Sequence, residues 1–171
     1  MSSWFAPTAY VPHITGIDVE RLAADGVCGT IVDLDNTLVG YRAREPDEAV
    51  IGWLSRAKAQ GIAVIVVTNN GTPWAAEVAR KLGVPIVSNA RKPLRRGFRR
   101  ALVELGLPKP AVVVIGDQLF TDVLGAKFAG LRVILVDPLV RHDPWNTLPL
   151  RLLQRWLLRD LPQTERDLFE N

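Results

Sequence analysis

The stretch Thr30-Ile31-Val32-Asp33-Leu34-Asp35-Asn36-Thr37-Leu38-Val39 decides the reading of this chain. A short run rich in β-branched carbons ends abruptly in two acids, the pattern of a buried strand whose carboxyl end carries the polar groups. In extended backbone, residues i and i+2 face one side, so Asp33 and Asp35 bring two carboxyl groups to one place. If the backbone relaxes past the strand end, one of these side chains and a neighbouring main-chain carbonyl can converge on a hard cation. Crowded like charges are costly unless something positive sits among them. Magnesium suits such a place, because it takes oxygen ligands, keeps several waters and needs only one or two carboxylates beside a phosphate oxygen.

Outward from this stretch, three more apolar runs read as buried strands: Ile62–Val67, Val112–Ile115 and Leu131–Val136. A weaker one, Val84–Val87, contains Pro85 and belongs at an edge. Helical patterns lie between them at Asp47–Gln60, Trp74–Leu82, Pro93–Leu105 and Thr121–Phe128, each followed by a glycine stop at Gly61, Gly83, Gly106 or Gly130. Alternating strands and helices predict an α/β fold of Rossmann type. Its mainly parallel five-stranded sheet lies between two helical layers, with right-handed crossovers. Function should then gather beyond the carboxyl ends of the strands. The polar residues comply: Asp33 and Asp35 follow one strand, Thr68, Asn69 and Asn70 the next, and Gly116, Asp117 and then Asp122 the Val112 strand. Asp117 can add a carboxylate to the acidic pair from the neighbouring strand. Asp122 reads equally well as a helix cap or as the holder of a lysine.

Composition sets the outer limits. With 171 residues, 18.9 kDa, 48% hydrophobic and 23% charged residues, the chain suits one packed domain rather than a disordered or low-complexity polymer. The net charge of +3, from 21 Lys plus Arg against 18 Asp plus Glu, is too mild to name a polyanionic partner by itself. Cys28 is the only cysteine, which excludes an intramolecular disulfide framework and a cysteine-based zinc site. No signal peptide or bilayer-length apolar run is apparent, so the expected location is cytoplasmic, with attachment to the inner membrane face left open.

The motifs, taken in order, resemble those of the haloacid dehalogenase superfamily. Asp33-Leu34-Asp35-Asn36-Thr37 looks like its first motif in the form used by its phosphatases, Thr68 its second, Lys92-Pro93 its third, and Gly116-Asp117 through Asp122 its fourth. Pro7–Ile14, the Asp33–Val39 wording and Gly116-Asp117-Gln118 are most similar to the YqeG-type subfamily IIIA, which includes phosphatidylglycerophosphate phosphatases. The resemblance implies a magnesium-dependent phosphatase without a cap domain. Asp33 attacks phosphorus to give an aspartyl-phosphate, and Asp35 serves as acid and then base, for which it needs a higher effective pKa than Asp33. Magnesium is held by Asp33, Asp117 and the main-chain carbonyl of Asp35. Thr68 and Asn69 offer donors to the phosphoryl group, and Lys92 offers a positive charge beside Pro93 in the first turn of a helix. The segments around Leu38–Asp47 and Asn70–Lys92 leave no room for an inserted cap.

Two basic features complete the reading. Arg91, Lys92, Arg95, Arg96, Arg99 and Arg100 crowd one helical stretch whose apolar positions keep helical spacing, so the arginines face outward. Arg95 and Arg96 stand nearest Lys92 as substrate-binding candidates, and the whole face is either solvated or a guide for an anionic substrate or membrane leaflet. A single domain over 1–171 is expected, with a catalytic core at about 28–140 and a basic amphipathic segment at about 145–171 carrying Arg151, Arg155 and Arg159. Phosphatidylglycerophosphate leads the candidate substrates, ahead of nucleic-acid ends, phosphoproteins and sugar phosphates. No nucleic-acid partner is favoured, since no base-stacking motif is present. The reading from another class is a receiver-like or non-catalytic phosphate-binding module.

Overall fold

The computed structural model describes residues 6–40, 43 and 45–140. The segment expected at about 145–171 lies outside them. Six strands form one sheet: β1 (Ala9–Val11), β2 (Gly29–Val32), β3 (Ala63–Val67), β4 (Ile86–Val87), β5 (Val112–Gly116) and β6 (Arg132–Val136). Their order is β1-β6-β5-β2-β3-β4 and every pairing is parallel. The sheet therefore has one strand more than the sequence pattern predicts. β1 pairs on one side only, aligning Ala9 with Ile134 and Val11 with Val136. Three residues on an edge, with Pro12 directly after them, carry too little periodicity to be recognised alone.

The helices are α1 (Val19–Ala24), α2 (Glu48–Ala59), α3 (Pro73–Leu82), α4 (Arg95–Leu105) and α5 (Leu124–Ala129). Side-chain caps explain three of the starts: Asp18 accepts from Arg21 N–H, Asp47 from Ala49 N–H and Thr72 from Ala75 N–H, with Pro73 in the first turn of α3. Leu22, Val50, Trp53, Ala75 and Val78 from α1 to α3 pack one face of the sheet. Phe98, Ala101, Val123, Ala126 and Ala129 from α4 and α5 and the turn before it pack the other. This is the expected three-layer arrangement. β2, β5 and all but the first residues of β3 are buried, which accounts for their continuous apolar runs. No cap subdomain stands over the sheet among the described residues, and no helix among them is long and apolar enough to cross a membrane.

Two helix starts differ from expectation. The helix after Lys92 begins at Arg95, not Pro93, so Pro93 belongs to the turn that precedes α4; the Lys92–Pro93 peptide is cis. The helix placed at Thr121 begins as a π-helical turn over Leu119–Val123 and becomes α-helical only at Leu124. A single wide turn of this kind re-aims side chains and is common where a protein does chemistry.

Topology fixes where that chemistry can occur. From β2 the chain proceeds to β3 and β4 on one side, then returns to β5 on the other, so β2 and β5 flank the point where the winding reverses. Val32 aligns with Ile115 across this pair. The crevice beyond their carboxyl ends is where ligands bind in open α/β sheets.

Candidate active site

Beyond Val32 the chain folds back tightly. Asp33 N–H donates to Ile115 C=O at 2.9 Å, which continues the ladder one residue past β2. Asn36 then takes a left-handed conformation at φ 64°, its N–H donates to Val39 C=O at 2.7 Å, and both Leu38 and Val39 N–H donate to Leu34 C=O at 3.1 Å. Asparagine is among the few side chains that tolerate this backbone region. The loop is anchored by Leu34 and Leu38, both fully buried, while Asp35 between them stays half-buried.

The two acids find different partners. Lys92 Nζ donates to Asp33 Oδ1 and, at 2.6 Å, to Asp122 Oδ1. The lysine side chain is only 3% exposed, so this is a buried ionic triad in which geometry matters more than in surface pairs. Burial is the largest influence on Asp33 and pushes its carboxyl up; Lys92 pulls it back, while Asp122 and Asp35 push it up again, leaving it well above the ordinary range. For Lys92, burial works against the charge, but Asp122 and Asp33 overcome it and hold the ammonium above its usual range. Asp35, by contrast, accepts from the Thr68 hydroxyl at 3.2 Å and from the Asn70 side-chain amide at 3.3 and 3.4 Å.

Asp117 follows β5 and is buried beside these groups. One carboxylate oxygen from each of Asp33, Asp117 and Asp122 lies within 4.8 Å of the others, so the strand tips do bring their acids together. The third carboxylate of the cluster is Asp122; that of Asp35 turns toward Thr68 and Asn70. Asp122 has little left to give a cation, since Oδ1 takes Lys92 and Oδ2 accepts Gln118 N–H at 3.1 Å. Four carboxylates against one ammonium leave excess negative charge around an all-oxygen donor set, the chemistry that a hard divalent cation fits.

The π-helical turn aims Asp122 back over Gly116. A β-carbon at Gly116 would lie 2.4 Å from Asp122 Cγ and 2.5 Å from its Oδ2, so only glycine lets that carboxylate reach Lys92. Gly116→Ala should therefore cost about 1–3 kcal/mol of stability by overpacking. Gly52→Ala on α2, where an added carbon meets nothing, should cost none. Chemical denaturation of both variants checks this.

The loop after β3 also differs from expectation. The Asn69 side chain does not face an incoming group: its Oδ1 accepts Lys92 N–H at 2.6 Å and its Nδ2 donates to Lys92 C=O at 3.1 Å. Asn69 thus fastens the Lys92 backbone. The Thr68 hydroxyl gives its single proton to Asp35 and accepts Asn70 N–H at 3.0 Å. Asn70, which the sequence presents as an ordinary turn residue, is the second holder of Asp35. Only its place in a polar trio at a strand end hinted at this. Arg95 and Arg96 are exposed in the first turn of α4, outside the buried cluster.

Comparison with known proteins agrees with this geometry. Residues 30–130 match the haloacid dehalogenase-like hydrolase family. The chain is 38% identical over 161 residues to a Bacillus subtilis protein described as "Probable phosphatase YqeG", covering 94% of both. It is 27% identical to the chloroplastic phosphatidylglycerophosphate phosphatase 1 of Chlamydomonas reinhardtii, covering 90% of this chain but 61% of that longer protein. Among solved structures, the cobalt-bound deoxy-D-mannose-octulosonate 8-phosphate phosphatase of Haemophilus influenzae superposes with a TM-score of 0.55. At 14% identity, with 80% of this chain and 90% of that one covered, the match shows a shared fold.

Proposed function

The chain belongs to the haloacid dehalogenase-like hydrolases and is a phosphomonoester hydrolase of that family, and we infer that it works through an aspartyl-phosphate on Asp33. The observation that carries this reading is the unequal treatment of the two acids. Asp33 is bound to an ammonium, which works for its carboxylate, the form a nucleophile needs, against the burial that raises it. Asp35, two residues on and half-buried, is held by Thr68 and Asn70 instead of by the lysine, which sets it apart from the nucleophile in the position that the proton transfers need.

In the first step an Asp33 carboxylate oxygen bonds to phosphorus, the ester P–O bond breaks and the leaving oxygen takes its proton from Asp35. A water oxygen then bonds to phosphorus, gives a proton to Asp35 and displaces the Asp33 oxygen, restoring both acids and releasing phosphate. Lys92 neutralises charge beside the transferred group, and Asn69 keeps it in place. The Thr68 hydroxyl serves Asp35 in this geometry and would have to rotate to reach a phosphoryl oxygen. Mg2+, held by Asp33, Asp117 and the Asp35 carbonyl, supplies further neutralisation of the phosphoryl oxygens when bound.

The leading substrate is phosphatidylglycerophosphate. The Chlamydomonas relative supports it, as do a site over which no cap subdomain stands among the described residues and the exposed arginines that follow Lys92. Phosphate release should be measured, with magnesium and with chelator, from that lipid, sugar phosphates, nucleotides, a 5′-phosphorylated oligonucleotide and a phosphopeptide. We expect release that requires magnesium and a kcat/KM for the lipid at least about tenfold above the others. Preference for another ester would overturn the substrate. No release from any ester would overturn the activity.

A further inference from the structure

Four exposed arginines share the outer face of α4, with Glu104 at its margin. The helix buries Gly97, Phe98 and Ala101 against the sheet. At about 100° per residue, Arg95, Arg99, Arg96 and Arg100 spread over the opposite arc, with Val103 near its middle. Val103 is 83% exposed, and Leu94, just before the first turn, is 60% exposed. Arg95, Arg96, Arg99, Arg100, Val103 and Glu104 line a groove of about 530 Å³ that shares no residue with the carboxylate cluster.

Three other surface cations meet acids: Arg80 pairs with Glu77, Lys81 with Glu45 and Arg21 with Asp25. Among the described residues, none of the four α4 arginines forms such a pair. Four arginines to one glutamate, with a bare valine amid them, make a strongly basic face with an apolar centre.

We propose that the outer face of α4 docks on an anionic phospholipid surface. Arginines meet lipid phosphates there, while Val103 and Leu94 enter the boundary beneath the headgroups and gain from leaving water. A nucleic acid would satisfy the arginines but give the aliphatic side chains nothing. The only ring in α4, Phe98, is buried, so the face has no platform for stacking bases. Its position gives docking a use: α4 starts three residues after Lys92, so a bilayer on this face lies beside the cluster. That use, delivery of a lipid phosphomonoester, rests on the substrate proposed above, whereas docking itself does not.

The test is sedimentation of the full chain with vesicles of phosphatidylcholine, with and without phosphatidylglycerol. We expect binding only to the anionic vesicles, weakening as salt rises. Arg99→Glu with Arg100→Glu should weaken it roughly tenfold or more, and Val103→Asp several-fold. Arg56→Glu with Lys58→Glu, the same charge change on α2 across the sheet, should leave it near wild type. The proposal is overturned if anionic vesicles are not bound, if the α4 variants bind like wild type, or if the α2 variant loses as much. A duplex RNA bound in place of vesicles, and lost with Arg99 and Arg100, would also overturn it and indicate a nucleic-acid surface. Phosphate release from a water-soluble ester, followed in parallel, reports the catalytic reading separately and should survive in every variant.

Discussion

Asp33→Asn should give a folded protein whose turnover is at least about 10⁴-fold below wild type on every phosphomonoester, with no acyl phosphate formed. The amide retains an oxygen that accepts from Lys92, so the strand end and the ionic triad keep their shape. What it loses is an oxygen nucleophilic enough to bond to phosphorus. Stability should move the other way. Asp33 is buried among Asp35, Asp117 and Asp122, and burial pushes its carboxyl up, so the ionised form is a cost of the native state. Removing that charge while Asp122 still balances Lys92 should leave the thermal midpoint equal to or above that of wild type, the usual opposition between a reactive site and a stable one. Phosphate release, denaturation curves and hydroxylamine trapping of the wild-type intermediate check this together. Turnover within tenfold of wild type would remove Asp33 from the nucleophile's role. Asp35→Asn should be milder on esters with good leaving groups, which need less protonation.

The sequence disclosed the parts of this molecule whose cause is local. The long apolar runs of β3, β5 and β6 announce strands because both faces are buried, while the edge strand expected over Val84–Val87 is shorter, β4 at Ile86–Val87, with Pro85, which cannot donate to a ladder, just before it. Asp33 and Asp117 could be selected because polar residues at strand ends have few structural reasons to recur, whereas Lys92 was marked only by the resemblance of its motif. What remained hidden depends on partners far away in the chain. Lys92 meets Asp33 across 59 positions, and Asn70 reaches Asp35 across 35. No local pattern distinguishes an asparagine that holds an acid from one that closes a turn. Asn69 looked like a phosphate donor for the same reason, until its side chain proved to be paired with the Lys92 backbone. The π-helical turn at Leu119 is set by how Asp122 must cross Gly116, a steric relation visible only in three dimensions.

Lys92→Met should destabilise the fold by about 3–5 kcal/mol near neutral pH, because it removes the shared partner of two buried carboxylates while preserving bulk. The measurement is denaturant unfolding with chelator present, so that no divalent ion substitutes for the ammonium. Its pH dependence follows from the Asp33 carboxyl, which burial already holds above its unfolded value and which rises further without Lys92. An acid raised in the folded state is penalised while it must be ionised and relieved once it takes up a proton. The penalty is therefore full at high pH, shrinks as pH falls through the raised value and vanishes below the unfolded value of about 4. The gap between wild type and Lys92→Met should narrow steadily from about pH 8 to about pH 5. A gap that widens on acidification, or none at pH 8, would show that the lysine is not balancing these acids. Lys92→Met with Asp122→Asn should recover part of the loss, since the double variant leaves one uncompensated charge of the triad instead of two. It should nevertheless remain inactive, because stability returns with the charge balance while the cation beside the transferred phosphoryl group does not.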